Sequence, residues 1–487
     1  MRLFLEGHGE RYALEQLQMS LFPDEPMEYC ESPFDGDGAV SILRRTGDTL
    51  EGTARIRWKG RETTGACDMP VSEETVPSRR RLLQRSYYLA SVQLLENVPS
   101  WGALAGVRPT KLTTRALLAG KSETECDELL REVYFVTPER RRLCLDASRA
   151  AVEAAGLLSP AGFSLYVGIP FCPSRCAYCS FVSQSAEREG KLIEPFLAAL
   201  LREIEETGRL LAGTPFQAQT VYIGGGTPTT LSAPQLERML HAISRHFDLR
   251  RVLEYTVEAG RPDTLDAEKL AVMKRGGVTR ISVNPQTMRD DVLERIGRRH
   301  SAADTRRAYA LAREAGFDDI NMDLIAGLPG DSAAGFADSL AQCVELAPSN
   351  MTVHTLARKR GSELNLDRRG FVTAAEVEQM LRAGETTLRG AGYEPYYLYR
   401  QKYMSGGFEN VGWRKPGRTG LYNIYMMEEL HSVLALGGGG MSKLLQADGK
   451  LFRQHNPKFP REYLSQFDQV LEDRRVFIER MKTQIGS

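Results

Sequence analysis

Three cysteines fall within one short stretch, Cys172, Cys176 and Cys179, spaced Cys-x3-Cys-x2-Cys. Thiolates of this kind ligate structural zinc or iron–sulfur clusters. A zinc site needs a fourth ligand at usable spacing, and no second Cys-x2-Cys or His-x3-His follows. A [4Fe–4S] cubane ordinarily takes four cysteines. Three thiolates on one loop hold three corners and leave one iron open to a substrate or cofactor ligand. The other five cysteines, Cys30, Cys67, Cys126, Cys144 and Cys343, show no framework spacing, which is the usage of reduced cytosolic thiols.

A second chemical stretch is Gly224-Gly225-Gly226-Thr227-Pro228-Thr229. Glycine admits positive φ and lets the backbone approach a ligand closely. No Gly-Lys-Ser/Thr follows, so a P-loop is excluded. The Gly-x-Gly-x-x-Gly fingerprint of a dinucleotide fold is also absent. The plain alternative is a tight turn.

Positioning these residues requires a scaffold, and the pattern supplies one. Strand-like runs occur at Leu165–Ile169, Thr220–Gly224, Tyr255–Ala259, Arg280–Val283, Asp319–Ile325 and Met351–Leu356. Amphipathic runs separate them at Leu192–Leu211, Gln235–Phe247, Ala267–Arg275, Ala303–Ala315 and Gly335–Leu346. Regular alternation of this kind predicts a parallel sheet covered by helices. Right-handed crossovers would curl it into an open partial barrel. In parallel barrels the functional groups sit at the C-terminal ends of the strands. The unusual residues fall there: the cysteine loop after the first strand and the glycine run after the second. Glu258 closes the third strand, Asn284-Pro285-Gln286 the fourth, and Asp323 lies late in the fifth. His354 and Thr355 lie at the sixth.

Flanking segments read differently. Residues 1 to about 60 alternate apolar and polar positions, as in Thr49 to Trp58, and suggest a small antiparallel sheet. From Ser72 to Gly156 the spacing is helical, interrupted by the Gly/Pro stretch Trp101 to Lys111, which reads as a turn. Beyond 360, Thr373 with Glu376 has capping-box spacing and opens a helix. An aromatic strand follows at Tyr393 to Lys402, then the glycine segment Leu436 to Ser442 and a helical tail. The chain thus divides into an N-terminal α+β extension (1–160), a barrel (161–360) and a C-terminal α/β domain (361–487).

Composition is that of a globular protein: 487 residues, 42% hydrophobic and 26% charged. Acidic and basic residues balance at 63 each, against the basic surface of a nucleic-acid binder. No run of 18 apolar residues exists, so no membrane span is expected. The N-terminal Met-Arg-Leu-Phe-Leu-Glu-Gly-His lacks the apolar core of a signal peptide, and a cytoplasmic location is expected.

The string Tyr166-Val-Gly-Ile-Pro-Phe-Cys172-Pro-Ser-Arg-Cys176-Ala-Tyr-Cys179-Ser-Phe181 resembles the radical S-adenosylmethionine (SAM) enzymes, specifically their oxygen-independent coproporphyrinogen III oxidase branch. Within that branch it is most similar to the coproporphyrinogen dehydrogenase HemZ group. The resemblance implies an open (β/α)6 barrel, a [4Fe–4S] cluster on Cys172, Cys176 and Cys179, and SAM on the open iron. It implies that Gly225, Gly226 and Thr227 bind the amino end of SAM and that Tyr166 lies at its sulfonium. It further implies SAM contacts from Glu258, Gln286, Arg298 and Asp323, whose order and intervals match the family pattern. A carboxylate or an amide, as on Glu258 and Gln286, is the partner that ribose hydroxyls require.

The implied activity is radical oxidative decarboxylation of coproporphyrinogen III to protoporphyrinogen IX, in haem biosynthesis. A flavodoxin- or ferredoxin-like electron donor would serve it. A tetracarboxylate substrate needs cations, and Arg108, Arg358, Arg400 and Lys402 are the candidates. Two departures qualify the resemblance. The best-studied branch has histidine where this chain has Gly168, and a fourth cysteine where it has Phe181. The haem-chaperone branch also has an aromatic at the latter position. A haem-binding or haem-delivery protein, with His354 and His431 as axial candidates, is therefore one alternative. Another radical reaction on a tetrapyrrole, such as haem ring opening, is a second.

Overall fold

The computed structural model describes residues 1–22, 25, 27–106, 108–179, 184–357, 371–401 and 407–485. The chain forms two compact units, one of residues 1–146 with 399–409, the other of residues 147–398 with 410–487.

In the first unit, β1 (Arg2–Glu6), β2 (Glu28–Cys30), β3 (Gly38–Thr46), β4 (Thr49–Trp58) and β5 (Arg61–Pro70) form a sheet of order β2-β1-β3-β4-β5. Strands β3, β4 and β5 are antiparallel, as the alternation predicts. Strand β1 instead runs parallel to both β2 and β3. The helix Arg11–Leu21 carries the chain back across the sheet between β1 and β2, which makes that pair parallel. One face of β4 points Ala54 and Ile56 into a core shared with Leu14, Leu17, Leu83 and Tyr87. The Trp101 stretch is a turn: Gly102 has φ +53° and Leu104 donates to the Trp101 carbonyl at 3.0 Å.

The second unit is built on an eleven-stranded sheet. Its parallel heart is β6 (Gly162–Ile169), β7 (Gln217–Gly225), β8 (Glu254–Val257), β9 (Arg280–Ser282), β10 (Asp319–Ala326) and β11 (Asn350–Thr355). These six lie side by side in sequence order, every neighbouring pair parallel. Helices Ile193–Leu211, Ala233–His246, Ala267–Arg275, Ala302–Glu314 and Ala333–Glu345 make the five crossings. The strands are apolar on both faces because helices cover one and the barrel interior fills the other. Val221, Ile223, Val257, Ile281 and Leu324 are wholly buried.

The C-terminal segment extends this sheet. Strands β12 (Glu394–Arg400) and β13 (Glu409–Arg414) continue it beyond β11, with β13 antiparallel to β11. On the other side β14 (Ser432–Gly437) pairs in parallel with β6, and β15 (Met441–Leu445) and β16 (Leu451–His455) follow antiparallel. Strands β12 and β16 form the two edges, so the sheet stays open. Thr373 caps the helix Ala374–Gly390 and Glu376 returns the bond, as its spacing predicts. Among the described residues no helix is long and apolar enough to cross a membrane.

Candidate active site

Pro170 stops β6, and the chain turns into the cysteine loop at the C-terminal end of the barrel. Two backbone bonds fasten the loop to the glycine run after β7: Gly226 N–H donates to the Ile169 carbonyl at 2.8 Å, and Thr227 N–H to that of Phe171 at 2.7 Å. The Thr227 hydroxyl then lies 3.4 Å from Cys172 Sγ. Cys176 and Cys179 share a turn in which Cys179 N–H donates to the Cys176 carbonyl at 3.0 Å. Ala177, between them, donates to the Ile296 carbonyl after β9 at 3.0 Å. The loop is therefore tied to the end of β7, and to the segment that follows the helix Asp290–Arg295, as well as to β6.

Two arginines border the loop, Arg298 half-buried and Arg261 buried. Arg298, predicted to contact SAM, holds the Tyr178 hydroxyl at 2.8 Å and the Gly260 carbonyl at 3.3 Å. Burial pushes the Tyr178 hydroxyl upward, against the pull of Arg298, so it stays protonated and available. Arg261, three residues beyond Glu258, reaches Cys176 Sγ at 3.6 Å. The sequence gives no sign of it. An Arg-Pro pair after a strand looks like surface turn chemistry, yet Arg261 is only 3% exposed.

The donor set fits an iron–sulfur cubane in its chemistry: three thiols on one loop, one buried and two partly exposed. Among the described residues, no three His, Cys, Asp or Glu side chains gather around a single point as one metal ion would demand. A cubane asks for something wider, because each thiolate takes a different iron.

Close backbone approach explains the glycines. At Gly225 φ is +111°. A Cβ on Gly226 would sit 2.4 Å from the Phe171 carbonyl oxygen, so no larger residue fits against the loop. Gly168, where the best-studied branch has histidine, meets the C-terminal glycine segment. A Cβ there would lie 2.4 Å from the Gly438 carbonyl oxygen. Gly438 N–H donates to the Gly168 carbonyl at 3.0 Å, and Gly437 has φ +77°.

The strand ends bring the remaining predicted residues inside the barrel. Tyr222 donates its hydroxyl to Glu258 at 2.6 Å, and Gly225 N–H reaches the same carboxyl at 3.3 Å. Burial, with Asp323 adding repulsion, still pushes the Glu258 carboxyl up to about 7. Asp323 behaves oppositely. Burial raises it, but His354 at 3.6 Å and the Asn321 amide at 2.7 Å outweigh that and hold it below the usual carboxylate range. Gln286 has φ +69°, an uncommon value outside glycine, and bridges β10 by donating to the Asp323 carbonyl and accepting from Ile325, both at 2.9 Å.

Tyr166 stacks near Tyr222 and near Tyr422, with centroids at 6.3 and 6.2 Å. Tyr422 and Tyr222 stack at 4.2 Å. Tyr422 arrives from the helix Leu421–Glu428, whose first N–H bonds Glu254 at the opposite end of β8. Among the described residues its buried hydroxyl has no hydrogen-bond partner.

Two expectations about substrate and haem ligands change. Arg400 is buried, its guanidinium donating to the carbonyls of Gly407 and Leu104, which makes it a structural cation rather than an open propionate clamp. His431 is a core histidine: Nε2 lies 2.6 Å from the Ser164 hydroxyl, and burial drives its pKa down to about 3. Lys111 N–H bonds the Arg108 carbonyl at 3.2 Å, which places Arg108 in the turn that opens the helix Thr110–Leu118. Arg358, Lys402 and Phe181 lie outside the described residues.

Comparison with known proteins decides the family. The radical SAM superfamily model matches residues 166–343. The oxygen-independent coproporphyrinogen-III oxidase-like protein HemZ of Bacillus subtilis is 38% identical over 388 residues, 78% of this chain and 77% of that protein. The chain belongs to the radical SAM superfamily. Within it, its place is the coproporphyrinogen oxidase-like family, in the HemZ group. Radical SAM proteins use a [4Fe–4S] cluster and S-adenosylmethionine. The heme chaperone HemW of Escherichia coli is 28% identical over 301 residues, 62% of this chain and 75% of that protein. The radical SAM fold itself is shared with the solved coproporphyrinogen III oxidase HemN of Escherichia coli. That likeness has a TM-score of 0.53 at 22% identity, over 66% of this chain and 72% of that one.

Proposed function

We propose that this radical SAM protein converts coproporphyrinogen III to protoporphyrinogen IX without oxygen, removing two propionate carboxyls as CO2 and leaving two vinyl groups. The observation that carries the reading is the junction of the cysteine loop with the glycine run, where Thr227 meets Cys172 while Gly225 meets Glu258. When bound, the cluster and SAM would supply a 5′-deoxyadenosyl radical that takes hydrogen from a propionate chain, and loss of CO2 with transfer of the remaining electron to an external one-electron acceptor would leave the vinyl group.

The chain's own residues would then bind and orient. Cys172, Cys176 and Cys179 would hold the cluster. Gly225, Gly226 and Thr227 would receive the amino end of SAM on backbone that no Cβ obstructs. Tyr166 would lie at the sulfonium. Glu258, Gln286 and Asp323 would take its polar groups from neighbouring strand ends. Arg298 supports the loop through Tyr178 in this structure, and its reach to SAM is part of the proposal.

Anaerobic reconstitution with iron and sulfide, then SAM, a reductant and coproporphyrinogen III, tests this. The expected products are 5′-deoxyadenosine, CO2 and a two-vinyl porphyrinogen. Likeness to the heme chaperone HemW favours a second reading, haem binding and delivery. Tight haem binding with no SAM cleavage would establish that reading instead. Deoxyadenosine formed only in the presence of haem would point to a different tetrapyrrole reaction.

A further inference from the structure

We infer that Arg261 sets the reduction potential of the cluster through Cys176. This rests on the reading that Cys176 is a cluster ligand. The guanidinium is buried and held in one orientation. Nε and Nη2 each lie 2.9 Å from Asp263, a two-point pair on the turn after β8. Nη2 also donates to the Ser174 hydroxyl at 3.2 Å, and Nη1 to the Ser174 carbonyl at 3.4 Å. Nη1 is left facing Cys176 Sγ at 3.6 Å. A fork pinned at one end to a carboxylate presents its remaining N–H to the sulfur with little freedom to turn away.

Hydrogen bonds to cluster sulfurs and local net charge are the protein's main means of setting such potentials. Reduction adds one negative charge, which delocalises onto the thiolates. A fixed cation with an N–H on one thiolate stabilises the reduced form more than the oxidised form, and burial keeps water from screening it. Asp263 works the other way. Its charge, one bond removed, offsets part of the guanidinium's field. The pair therefore makes two opposite predictions from two neighbouring residues. A merely structural role for Arg261, as a clamp on Ser174, predicts no such opposition.

The experiment is a redox titration of the anaerobically reconstituted full chain, followed by the electron paramagnetic resonance signal of the reduced cluster. Wild type, Arg261→Gln and Asp263→Asn are compared at one pH. Arg261→Gln should lower the ratio of reduced to oxidised cluster at fixed potential about tenfold, a shift of about 59 mV to more negative values. Asp263→Asn should shift the potential to more positive values. Both variants remaining at the wild-type potential would overturn the inference, as would shifts of the same sign. Should Arg261→Gln take up no iron, Asp263→Asn alone decides. Should wild type itself take up no cluster, the cluster assignment fails first and the inference goes with it.

Discussion

Glu203 and Arg474 meet at 2.9 Å in the core beneath the glycine segment, both at most 1% exposed at the side chain. Glu203 also accepts from Gly437 N–H at 2.8 Å, from Tyr463 at 2.7 Å and from Asn456 at 2.9 Å. Arg474 reaches the Ser442 hydroxyl at 2.8 Å. The network thus fixes the backbone that lies against Gly168, one residue from the end of β6 and four from Cys172.

Removing one partner strands the other charge in the core. Arg474→Met should cost about 3–5 kcal/mol in urea unfolding. Combining it with Glu203→Gln should cost less than the sum of the two single changes, because no lone charge remains. A strictly additive result would show that the two side chains do not share one network.

Backbone approach gives a sharper test near the site. Gly226→Ala places a methyl 2.4 Å from the Phe171 carbonyl oxygen, against backbone that cannot rotate aside. The expected cost is about 1–3 kcal/mol, with reduced iron uptake as the cysteine loop shifts. Gly190→Ala, which meets nothing within 4 Å among the described residues, is the control and should retain both stability and iron. Equal behaviour of the two would refute the close packing of the glycine run on the loop.

Much of this architecture is local pattern, and local pattern is what a sequence displays. Six apolar runs separated by amphipathic ones announce parallel strands, and the strand-end rule then collects Glu258, Gln286 and Asp323. The cysteine spacing is visible because all three thiols share one loop. What stays hidden is long-range. Tyr422 stacks on Tyr222 from a helix two hundred positions away, and Glu203 finds Arg474 across a separation of 271. Arg261 hides for another reason: an arginine beside proline after a strand is ordinary surface composition, and only burial against Cys176 distinguishes it. The parallel β1 was concealed by a helix that alternation in the strands does not reveal.

The tyrosine stack separates two hydroxyls that look alike in sequence. Tyr222→Phe removes the donor to Glu258 and leaves a buried carboxyl short of a partner, a loss of about 1–3 kcal/mol. Tyr422→Phe removes a hydroxyl that has no partner among the described residues, so the ligand-free chain should be unchanged or slightly more stable. Thermal unfolding of the two variants without cofactors checks this. A destabilised Tyr422→Phe would mean that its hydroxyl is satisfied in solution.

Cluster ligation predicts a clear contrast among cysteines. Cys176→Ala should abolish the brown absorbance of the reconstituted protein, while Cys343→Ala, a core thiol whose burial pushes it up to about 12, should leave it intact. Full retention of the absorbance in Cys176→Ala would remove the site assignment.

Glu258 supplies the pH dependence. Its carboxyl rises from an ordinary 4.5 to about 7, with burial the main cause. A raised carboxyl pKa means that the folded chain binds the proton more tightly than the unfolded chain does. Below about 4.5 the group is protonated in both states and its burial carries no charge penalty. Between about 4.5 and 7 the unfolded chain loses the proton while the folded chain keeps it, so stability falls as pH rises. Above about 7 both are charged and the penalty is constant. Glu258→Gln, which is neutral throughout, should therefore lack this decline. Urea unfolding of the ligand-free proteins at several pH values from 4.5 to 8 should show the variant gaining on wild type as pH increases, and parallel curves would contradict the protonated, buried state of Glu258.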